Sequence, residues 1–391
     1  MSEQEPNQKY REMSEVDYRL KCDLRVKEQK YYLGKIQDSG LKPMERFLAY
    51  CPNPSLNMKR GVTFAHMDLE GIAGAISEGK PWAVVSGLNP SGPLHFGHKV
   101  IFDELLWMQQ QGADVFIPLT NDESYVVGKS KSLAESRRIA YDDVIPSIIA
   151  MGFDSNKTKI FVDSDYADIY NVAMDLSKYV TLNKVFKVFG LDKEDDEIDR
   201  NPGTLFYRAA VQVAQILLPQ YPEFGGPKPT IVPVGIDQHP YILLARDMAE
   251  KKGFIPPSEL VMKFLFGMDG KGKMSASRPG SAVFLTDSPE KAEKTIKASY
   301  TGGVTLRDFQ IAHGGIPEIC PVGCLREWHF ENDRHVSERC SSGKLLCGDD
   351  KRETIEMVKN YLRDHQEKRE EARKRIDKFI LKTPIRSIFE E

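Results

Sequence analysis

The sequence contains no uninterrupted apolar run long enough to cross a membrane, and its first ten residues, M-S-E-Q-E-P-N-Q-K-Y, are mostly polar. A transmembrane helix needs about 20 apolar residues, and a secretory signal needs a basic segment followed by an apolar one. The sequence therefore predicts a soluble protein that has no membrane partner and is located in the cytoplasm.

The chain also lacks an excess of charge of either sign. Its 391 residues include 54 lysines and arginines against 57 aspartates and glutamates, for a net charge of −3. This balance argues against nonspecific binding to polyanions, so any contact with nucleic acid must come from a locally basic surface. Hydrophobic residues make up 41% of the chain, enough for two or three domains with buried cores.

Cysteine is scarce and unevenly placed. Cys22 and Cys51 stand alone. Four others lie within 28 residues in the pattern C-x3-C-x15-C-x6-C: Cys320, Cys324, Cys340 and Cys347. Six cysteines in so long a chain do not suggest a disulfide framework. The group of four permits a metal site, but it lacks the C-x2-C pairs of common zinc sites, so we favour ordinary thiols and expect no metal.

Residues 82–112 have the pattern of a strand, a turn and a helix. Trp82 to Val85 is an apolar run typical of a buried parallel strand, and apolar residues recur at helical spacing from Lys99 until Gly112. The glycines and prolines of the turn between them, S-G-L-N-P-S-G-P, interrupt regular structure. A strand that enters a helix through such a turn directs N–H groups and the helix dipole at an anion, which predicts a phosphate site.

Two histidines, His95 and His98, flank Gly97 in this segment. They are three residues apart, close to one helical turn, so both rings can face the same phosphate. Imidazoles can carry charge to a phosphoryl group, and Gly97 allows a nucleotide to lie against the backbone. A metal pair or two surface histidines would show the same spacing, but the preceding P-S-G-P favours a nucleotide.

A second segment, G-K-G-K-M-S-A-S at 270–277, is a flexible basic loop rich in hydroxyls that suits a triphosphate. With H-F-G-H at 95–98 and K-M-S-A-S at 273–277, the sequence resembles a class I aminoacyl-tRNA synthetase. The resemblance implies an α/β fold, with a Rossmann-like doubly wound parallel sheet as the catalytic domain, followed by an α-helical anticodon-binding domain. Ala276 stands where many members of the class have a second lysine.

A further apolar strand is predicted in the stretch that starts at Gly112, G-A-D-V-F-I-P-L, and it ends in the polar residues T-N-D-E. In doubly wound sheets, ligands bind beyond the carboxyl ends of the strands. We therefore expect Glu123 to contact an amino acid. Asn121 and Asp122 fit a solvated turn equally well.

Another strand is predicted at 230–235. It ends in Gly235, with Asp237 two residues later, and this pattern predicts recognition of a ribose. Upstream, Gln212 and Gln215 lie among apolar residues. A buried amide needs partners, since leaving it unpaired costs about 1–3 kcal/mol, and a ligand is a natural though not unique partner.

The rest of the sequence predicts mainly helices. The expected features are a helix near Val16–Leu33, an N-cap at Asp68 for a helix before Trp82, a helix over 133–151, a helix from Pro289 capped by Asp287 or Ser288, and a long charged helix over 351–380. The acidic run at 193–200 predicts a solvated surface, and the basic residues of the last helix fit either a solvated face or a phosphate backbone.

The resemblance narrows to the tryptophanyl-tRNA synthetase family of archaeal and eukaryotic type over residues 60–391. It depends on R-G-V-T-F-A-H-M-D-L, F-L-T-D-S-P, Y-T-G-G-V-T-L and A-H-G-G. The sister family, the tyrosyl-tRNA synthetases, binds the substrate hydroxyl with a tyrosine and an aspartate where this chain has Val85 and Gln215. The tryptophan family often has a tyrosine in place of Val85 and a glutamine in place of Pro118, so its recognition of the indole N–H does not carry over directly.

The resemblance implies ATP-dependent formation of tryptophanyl-adenylate and transfer to tRNA(Trp) by a homodimer, with ATP and Mg²⁺ as cofactors and L-tryptophan as substrate. It assigns three groups of residues. The catalytic group is His95, His98, Lys273, Ser275 and Ser277. The ATP-binding group is Ser91, Gly97, Gly235, Asp237 and Met274. The amino-acid-binding group is Glu123, Gln212, Gln238, Val85 and Gln215.

We expect an N-terminal extension over 1–60, the catalytic domain over 61–285, and a helical tRNA anticodon-binding domain with a C-terminal tail over 286–391. The alternatives are a tyrosyl-tRNA synthetase, a regulatory or binding protein on a synthetase fold, and an enzyme that makes an adenylate for another acceptor. Both histidines and Lys273 are retained, which argues against a regulatory protein. The predicted helical region argues against the last alternative.

Overall fold

A computed structural model of the chain describes residues 4–48, 51, 53–191, 201–330 and 335–390. The chain divides into two compact units. Unit 1 comprises Met1–Thr63, Leu94–Val100 and Phe264–Gln366, and unit 2 comprises Phe64–Pro93, Ile101–Lys263 and Glu367–Glu391. The acidic run predicted at 193–200 lies outside the described residues.

Within the described ranges, the strands are β1 Lys42–Pro43, β2 Thr63–Met67, β3 Ala83–Val85, β4 Asp114–Leu119, β5 Thr158–Val162, β6 Thr230–Gly235 and β7 Ser258–Met262. The α-helices are α1 Gln4–Ser39, α2 Glu45–Leu48, α3 Leu56–Lys59, α4 Glu70–Glu78, α5 Phe96–Gln110, α6 Asn121–Val126, α7 Leu133–Ile139, α8 Ile145–Ala150, α9 Asp168–Ser177, α10 Leu182–Phe189, α11 Pro202–Phe206, α12 Gln212–Leu217, α13 His239–Lys252, α14 Pro289–Lys297, α15 Arg307–His313, α16 Pro321–His329, α17 Val336–Ser341 and α18 Cys347–Arg373. None of these helices is both long and apolar enough to cross a bilayer.

The sheet of unit 2 has the strand order β2-β7-β6-β3-β4-β5. The neighbours β7 and β6, β6 and β3, β3 and β4, and β4 and β5 are parallel. Counted from β3 as the first strand, the parallel strands from β5 to β7 run 3-2-1-4-5, which is the Rossmann order. This confirms the predicted α/β, doubly wound fold. In that topology ligands bind where the strand order reverses, beyond the carboxyl ends of β3 and β6.

The core of unit 2 lies between this sheet and the helices packed on it. Residues of β3, β4 and β6 are buried together with residues of α9, α12 and α13, and the cluster includes Ala83, Val85, Phe116, Val232, Ile169, Leu217 and Leu244. The helix predicted at 133–151 is present as α7 and α8, joined by the π-helical turn Ala140–Val144.

Unit 1 is mainly helical. Ser288 caps α14 by accepting a hydrogen bond from the Lys291 N–H at 3.2 Å, and Pro289 is the first helical residue, as predicted. The helix predicted near Val16–Leu33 is present and is longer than predicted, because α1 runs from Gln4 to Ser39. The Arg326 guanidinium of α16 is 2% exposed and donates to Asp350 at 2.9 Å, which joins α16 to α18.

The structure corrects the prediction for Asp68. The residues T-F-A-H-M before it form β2, α4 begins only at Glu70, and no side chain caps that helix. Asp68 instead has a φ of 50°, in the left-handed region. Its carboxylate accepts from Arg246 and its carbonyl from Ser258, so contacts with α13 and β7 determine this backbone conformation.

The clustered cysteines are free thiols, as are the two that stand alone. Burial raises the pKa of Cys320 to about 11 and raises the pKa of Cys340 well above its usual value. Cys324 is also buried. Within the described residues, no group of three or more His, Cys, Asp or Glu side chains is placed to hold a metal ion.

Candidate active site

The histidines of H-F-G-H lie at the N-terminal end of α5, which begins at Phe96. Their rings stack with centroids 3.7 Å apart and planes 14° apart. The His98 N–H donates to His95 Nδ1 at 3.3 Å, and the His95 N–H donates to His98 Nδ1 at 3.4 Å. Because each Nδ1 accepts, a neutral ring carries its proton on Nε2. The structure therefore brings both rings together, with their donor atoms at a helix N-terminus.

Gly97 marks the place where the two sequence motifs meet in unit 1. A Cβ on Gly97 would lie 3.0 Å from the His95 ring and 3.4 Å from Met274 Cβ. The chain after the second motif pairs with the first motif, because the Phe96 N–H donates to the Val283 carbonyl at 3.1 Å and the Leu285 N–H donates to the Leu94 carbonyl at 2.8 Å. A Cβ at position 97 would therefore crowd the His95 ring and touch Met274 at ordinary van der Waals distance, so glycine leaves room where the two motifs lie against each other.

The K-M-S-A-S loop is anchored at Met274, whose N–H donates to the Leu265 carbonyl at 2.8 Å and whose side chain is buried. Lys273 Nζ lies 4.7 Å from the centre of the Phe264 ring. The hydroxyls of Ser275 and Ser277 are 3.0 Å apart. The loop thus carries one ammonium group and two neighbouring hydroxyls, and Met274 anchors it.

Arg278 stabilises the K-M-S-A-S loop through hydrogen bonds. Its guanidinium donates to both carboxylate oxygens of Asp269 and, at 2.8 Å, to the Lys273 carbonyl. Arg278 lies one residue beyond the motif, and the sequence gives no sign of its structural role. Because this guanidinium is bound to a carboxylate, it does not substitute for the lysine that Ala276 replaces.

The two histidines are uncharged at neutral pH in this structure. Burial, the neighbouring His98 and the Lys273 ammonium lower the pKa of His95 to about 2. Burial and Lys273 lower the pKa of His98 to about 4. The expectation that the imidazoles carry charge is therefore wrong here. As neutral rings they can offer an Nε2 N–H, and Lys273 and the N-terminus of α5 are positive groups near them.

The low pKa of His98 predicts a pH dependence of stability. Between about pH 4 and pH 6.5 an unfolded histidine binds a proton that the folded one does not bind. The free energy of unfolding therefore decreases as the pH falls through this range, by at most about 1.4 kcal/mol per pH unit for each such histidine. We expect the thermal midpoint to fall more between pH 7 and pH 5 in the wild type than in His98→Asn, measured by calorimetry. Parallel pH curves would contradict this assignment.

In unit 2 the chain turns sharply after β3. A Cβ on Gly87 would lie 1.8 Å from the Pro118 carbonyl oxygen, and the Leu88 N–H donates to that same oxygen at 3.2 Å. Only glycine permits this close approach of the segment after β3 to the end of β4. It also brings Asn89 to the polar residues that follow β4, since Asn89 Nδ2 donates to Glu123 Oε2 at 3.1 Å.

Glu123 lies in the first turn of α6, directly beyond β4. Besides Asn89, the Thr120 hydroxyl donates to Glu123 Oε2, at 3.0 Å. The neighbouring Asp122 accepts from the Glu123 N–H at 2.8 Å and from the Tyr170 hydroxyl at 3.0 Å. Two neutral donors thus orient the Glu123 carboxylate, and its charge is not cancelled by a cation in these hydrogen bonds.

The glutamines predicted to need partners have them in unit 2. Gln212 Nε2 donates to Gln238 Oε1 at 3.0 Å. The buried Gln215 donates through Nε2 to the buried carboxylate of Asp163. Sequence reasoning missed Asp163. The signal that could have found it is its position directly after β5, the same strand-end rule that indicates Glu123 after β4.

The surroundings of Asp163 are acidic. Burial, together with the nearby Asp122 and Glu123 carboxylates, raises the pKa of Asp163 well above its usual value. Burial is the main cause that raises the pKa of the Tyr207 phenol, and the nearby Glu123 and Asp163 raise it further. A group of carboxylates that raises the pKa values of its neighbours favours a cation, so an ammonium group would be stabilised here.

The remaining predicted residues lie in or beside the strands of unit 2. Val85 is the last residue of β3 and is 1% exposed. Gly235 is the last residue of β6 and pairs with Met262. Asp237 is exposed just before α13, and Ser91 is exposed in the turn after β3, where its N–H donates to the Asn89 carbonyl at 2.9 Å.

Comparisons with known proteins agree with this geometry. The family described as tRNA synthetases class I (W and Y) matches residues 77–363. The tryptophan–tRNA ligase of Thermococcus sibiricus is 38% identical over 328 residues, which cover 82% of this chain and 82% of the relative. That of Methanocaldococcus jannaschii is 36% identical over 351 residues, 88% of this chain and 93% of the relative.

A solved structure gives the same result. The tryptophanyl-tRNA synthetase from Aeropyrum pernix K1 has a TM-score of 0.82 and 32% sequence identity, covering 91% of this chain and 98% of that one. Fold, motif geometry and similarity over most of the length therefore agree, and the chain belongs to the tryptophan–tRNA ligase family of class I tRNA synthetases.

Proposed function

We propose that the protein activates L-tryptophan with ATP and transfers it to tRNA(Trp) for protein synthesis. The observation that carries this proposal is that relatives named tryptophan–tRNA ligase match more than 80% of both lengths. The junction of H-F-G-H and K-M-S-A-S in unit 1 supports it independently, because Gly97 lies against Met274 and Lys273 is near enough to lower the pKa of both histidines.

The amino-acid site of the proposal lies in unit 2. The Glu123 carboxylate accepts hydrogen bonds from the substrate ammonium, which the surrounding acidic groups also favour. The amide oxygens of Gln212 and Gln238 provide further acceptors for N–H donors, and their mutual hydrogen bond fixes the orientation of both side chains. Val85 and Gln215 belong to this site, and Gln215 acts there as one unit with Asp163.

Removal of the Gln212 amide tests this assignment. Gln212→Ala deletes a hydrogen-bonding group and leaves the Gln238 amide without this partner. We expect kcat/KM for tryptophan to decrease by about 5–150-fold, which corresponds to about 1–3 kcal/mol. Pyrophosphate exchange at varied tryptophan and varied ATP measures it. A loss that appears only in KM for ATP would contradict the assignment.

In the proposed reaction, the tryptophan carboxylate attacks the α-phosphate of ATP, an adenylate forms, and pyrophosphate leaves. Catalysis depends on positioning and on stabilisation of developing charge. His95 and His98 donate from Nε2 to phosphate oxygens. Lys273, with the hydroxyls of Ser275 and Ser277, stabilises the leaving pyrophosphate, and ATP reacts as its Mg²⁺ complex.

The remaining ATP contacts of the proposal involve backbone and small side chains. Gly97 and Met274 shape the nucleotide surface where the two motifs meet in unit 1. In unit 2, Gly235 ends β6, one of the two strands at which the strand order reverses, Asp237 follows two residues later, and both contact the ribose. Ser91 belongs to the turn after β3, the other such strand.

The proposal extends to the domains and partners. It takes residues 61–285 as the catalytic domain, 286–391 as the helical region that binds the anticodon of tRNA(Trp), and 1–60 as an extension. It includes a homodimer. It also includes a cytoplasmic location, and the six free thiols favour this location because a reducing compartment keeps thiols unpaired.

Amino-acid-dependent exchange of pyrophosphate into ATP, measured across all twenty amino acids, tests the proposal. We expect tryptophan to support exchange and the charging of tRNA(Trp) to follow. Exchange with another amino acid would replace the substrate assignment. A protein that exchanges with none of them would fit the regulatory alternative.

A further inference from the structure

Helix α1 makes up most of the N-terminal extension and contacts the rest of unit 1 through buried side chains. Lys21 Nζ donates to the Gly303 carbonyl at 2.6 Å. Near the C-terminal end of the helix, the Tyr32 hydroxyl accepts a hydrogen bond from the Phe264 N–H at 3.3 Å, across 232 positions of the sequence. All four residues belong to unit 1. The second contact joins the extension to the segment that precedes K-M-S-A-S.

The two adjacent tyrosines of α1 have different surroundings. Tyr31 is 47% exposed, whereas Tyr32 is 8% exposed, and their rings meet edge to face with centroids 5.2 Å apart. Burial, and to a lesser degree the nearby Glu28, raises the pKa of Tyr32 well above its usual value, so its hydroxyl stays neutral. An N–H that is withdrawn from water needs an acceptor, because leaving it unpaired costs free energy. The Tyr32 hydroxyl therefore restrains the backbone at Phe264.

Phe264 begins the segment that pairs with K-M-S-A-S. Its ring centre lies 4.7 Å from Lys273 Nζ, within the range in which an aromatic face attracts an ammonium group. The backbone of the same segment also pairs with the motif. Phe266 and Lys273 form an antiparallel bridge, and the Met274 N–H donates to the Leu265 carbonyl at 2.8 Å. A shift of Phe264 would therefore reach the lysine ammonium through its ring and through the backbone.

We propose that Tyr32 is a positioning residue for amino-acid activation, which acts through Phe264 to hold the Lys273 ammonium in place. This role rests on the proposed function, in which Lys273 stabilises the leaving pyrophosphate. None of the residues assigned to ATP lies in α1, so the extension takes part in the reaction only indirectly. Accurate placement of a charged group before the reaction is what gives it catalytic effect, and an error of about 1 Å can slow a reaction by about 10²-fold.

Removal of the Tyr32 hydroxyl in the full-length protein tests this role. Tyr32→Phe keeps the ring and leaves the Phe264 N–H without this acceptor. We expect single-turnover adenylate formation to slow by about 5–30-fold, with KM for tryptophan unchanged, because Lys273 is misplaced but not lost. Tyr31→Phe is the matched control. It deletes a hydroxyl from the adjacent, exposed ring and should change the rate by less than about twofold.

A double-mutant cycle separates positioning from a general loss of stability. If Tyr32 acts through Lys273, then Tyr32→Phe should slow the Lys273→Ala variant by less than about twofold, because the group that it positions is absent. A hydroxyl that only stabilises the fold would slow both backgrounds by the same factor, and that result would rule out the positioning role.

Hydrogen–deuterium exchange of the amides of residues 264–274 provides a readout that needs no substrate. We expect these amides to exchange at least about fivefold faster in Tyr32→Phe than in the wild type, and at the wild-type rate in Tyr31→Phe. Unchanged amide exchange in Tyr32→Phe overturns the proposal. Faster amide exchange with a wild-type rate of adenylate formation overturns it as well.

Failure of this inference can be told apart from failure of the proposed function. A wild-type protein that supports pyrophosphate exchange with no amino acid removes both. An active wild type with equal rates for Tyr32→Phe and Tyr31→Phe removes only the role of Tyr32.

Discussion

Replacing Lys273 by alanine is expected to slow amino-acid activation by about 10²–10³-fold, while the affinity for tryptophan barely changes. Lys273 is the one ammonium group of K-M-S-A-S, because Ala276 has no charge and the Arg278 guanidinium is bound to Asp269. The two histidines are neutral, so they add no positive charge beside Lys273. Loss of one preorganised group that stabilises developing charge has an effect of this size.

A neighbouring lysine provides the matched control for this prediction. Lys271 lies two residues earlier in the same exposed loop, outside the motif. We expect Lys271→Ala to change the rate by no more than about threefold, since an exposed charge in high dielectric contributes little. Pre-steady-state formation of the adenylate separates the chemical step from binding. A Lys273→Ala variant that loses only tryptophan affinity would contradict the assigned role.

Tryptophan is expected to support pyrophosphate exchange at least about a hundredfold better than tyrosine. A site that recognises a phenol hydroxyl must offer it a buried partner, and discrimination built on such a hydrogen bond reaches about 10⁴–10⁵-fold. Val85 offers no hydrogen bond. Gln215 is the other candidate, but its amide N–H donates to Asp163 within the protein. The sister family's tyrosine and aspartate are therefore not reproduced at these two positions.

Phenylalanine is the control for the tyrosine measurement. If the site lacks a partner for the phenol hydroxyl, tyrosine gains nothing over phenylalanine, and the two should exchange within about tenfold of each other. Equal or better exchange with tyrosine than with tryptophan would overturn the substrate assignment. A large preference for tyrosine over phenylalanine would show that Gln215 or Asp163 binds the hydroxyl.

The strands β3, β4 and β6 could be predicted because each contains a short run of mostly apolar residues, which is the pattern of a parallel strand buried on both faces. The cap at Ser288 is equally local, since a hydroxyl and the N–H three residues later need no other part of the chain. Asp68 and β7 could not be predicted in this way. Asp68 has a positive φ because of partners at positions 246 and 258, and β7 begins with the polar Ser258 and Glu259, so its sequence lacks a clear apolar strand pattern.

The candidate site also has features that local sequence patterns predict and features that depend on contacts between distant segments. The residue types and spacing of H-F-G-H and K-M-S-A-S indicate a phosphate site from the sequence alone. A glycine-rich turn beside a helix N-terminus offers N–H groups to an anion, and this depends only on residues that are close in sequence. The charge state of His95 and His98 follows only from the fold, which buries the rings and brings Lys273 near them from 175 residues away. Asp163 likewise meets Gln215 across 52 residues. Local patterns carry backbone preferences and side-chain chemistry, whereas burial and electrostatic partners depend on which distant segments pack together.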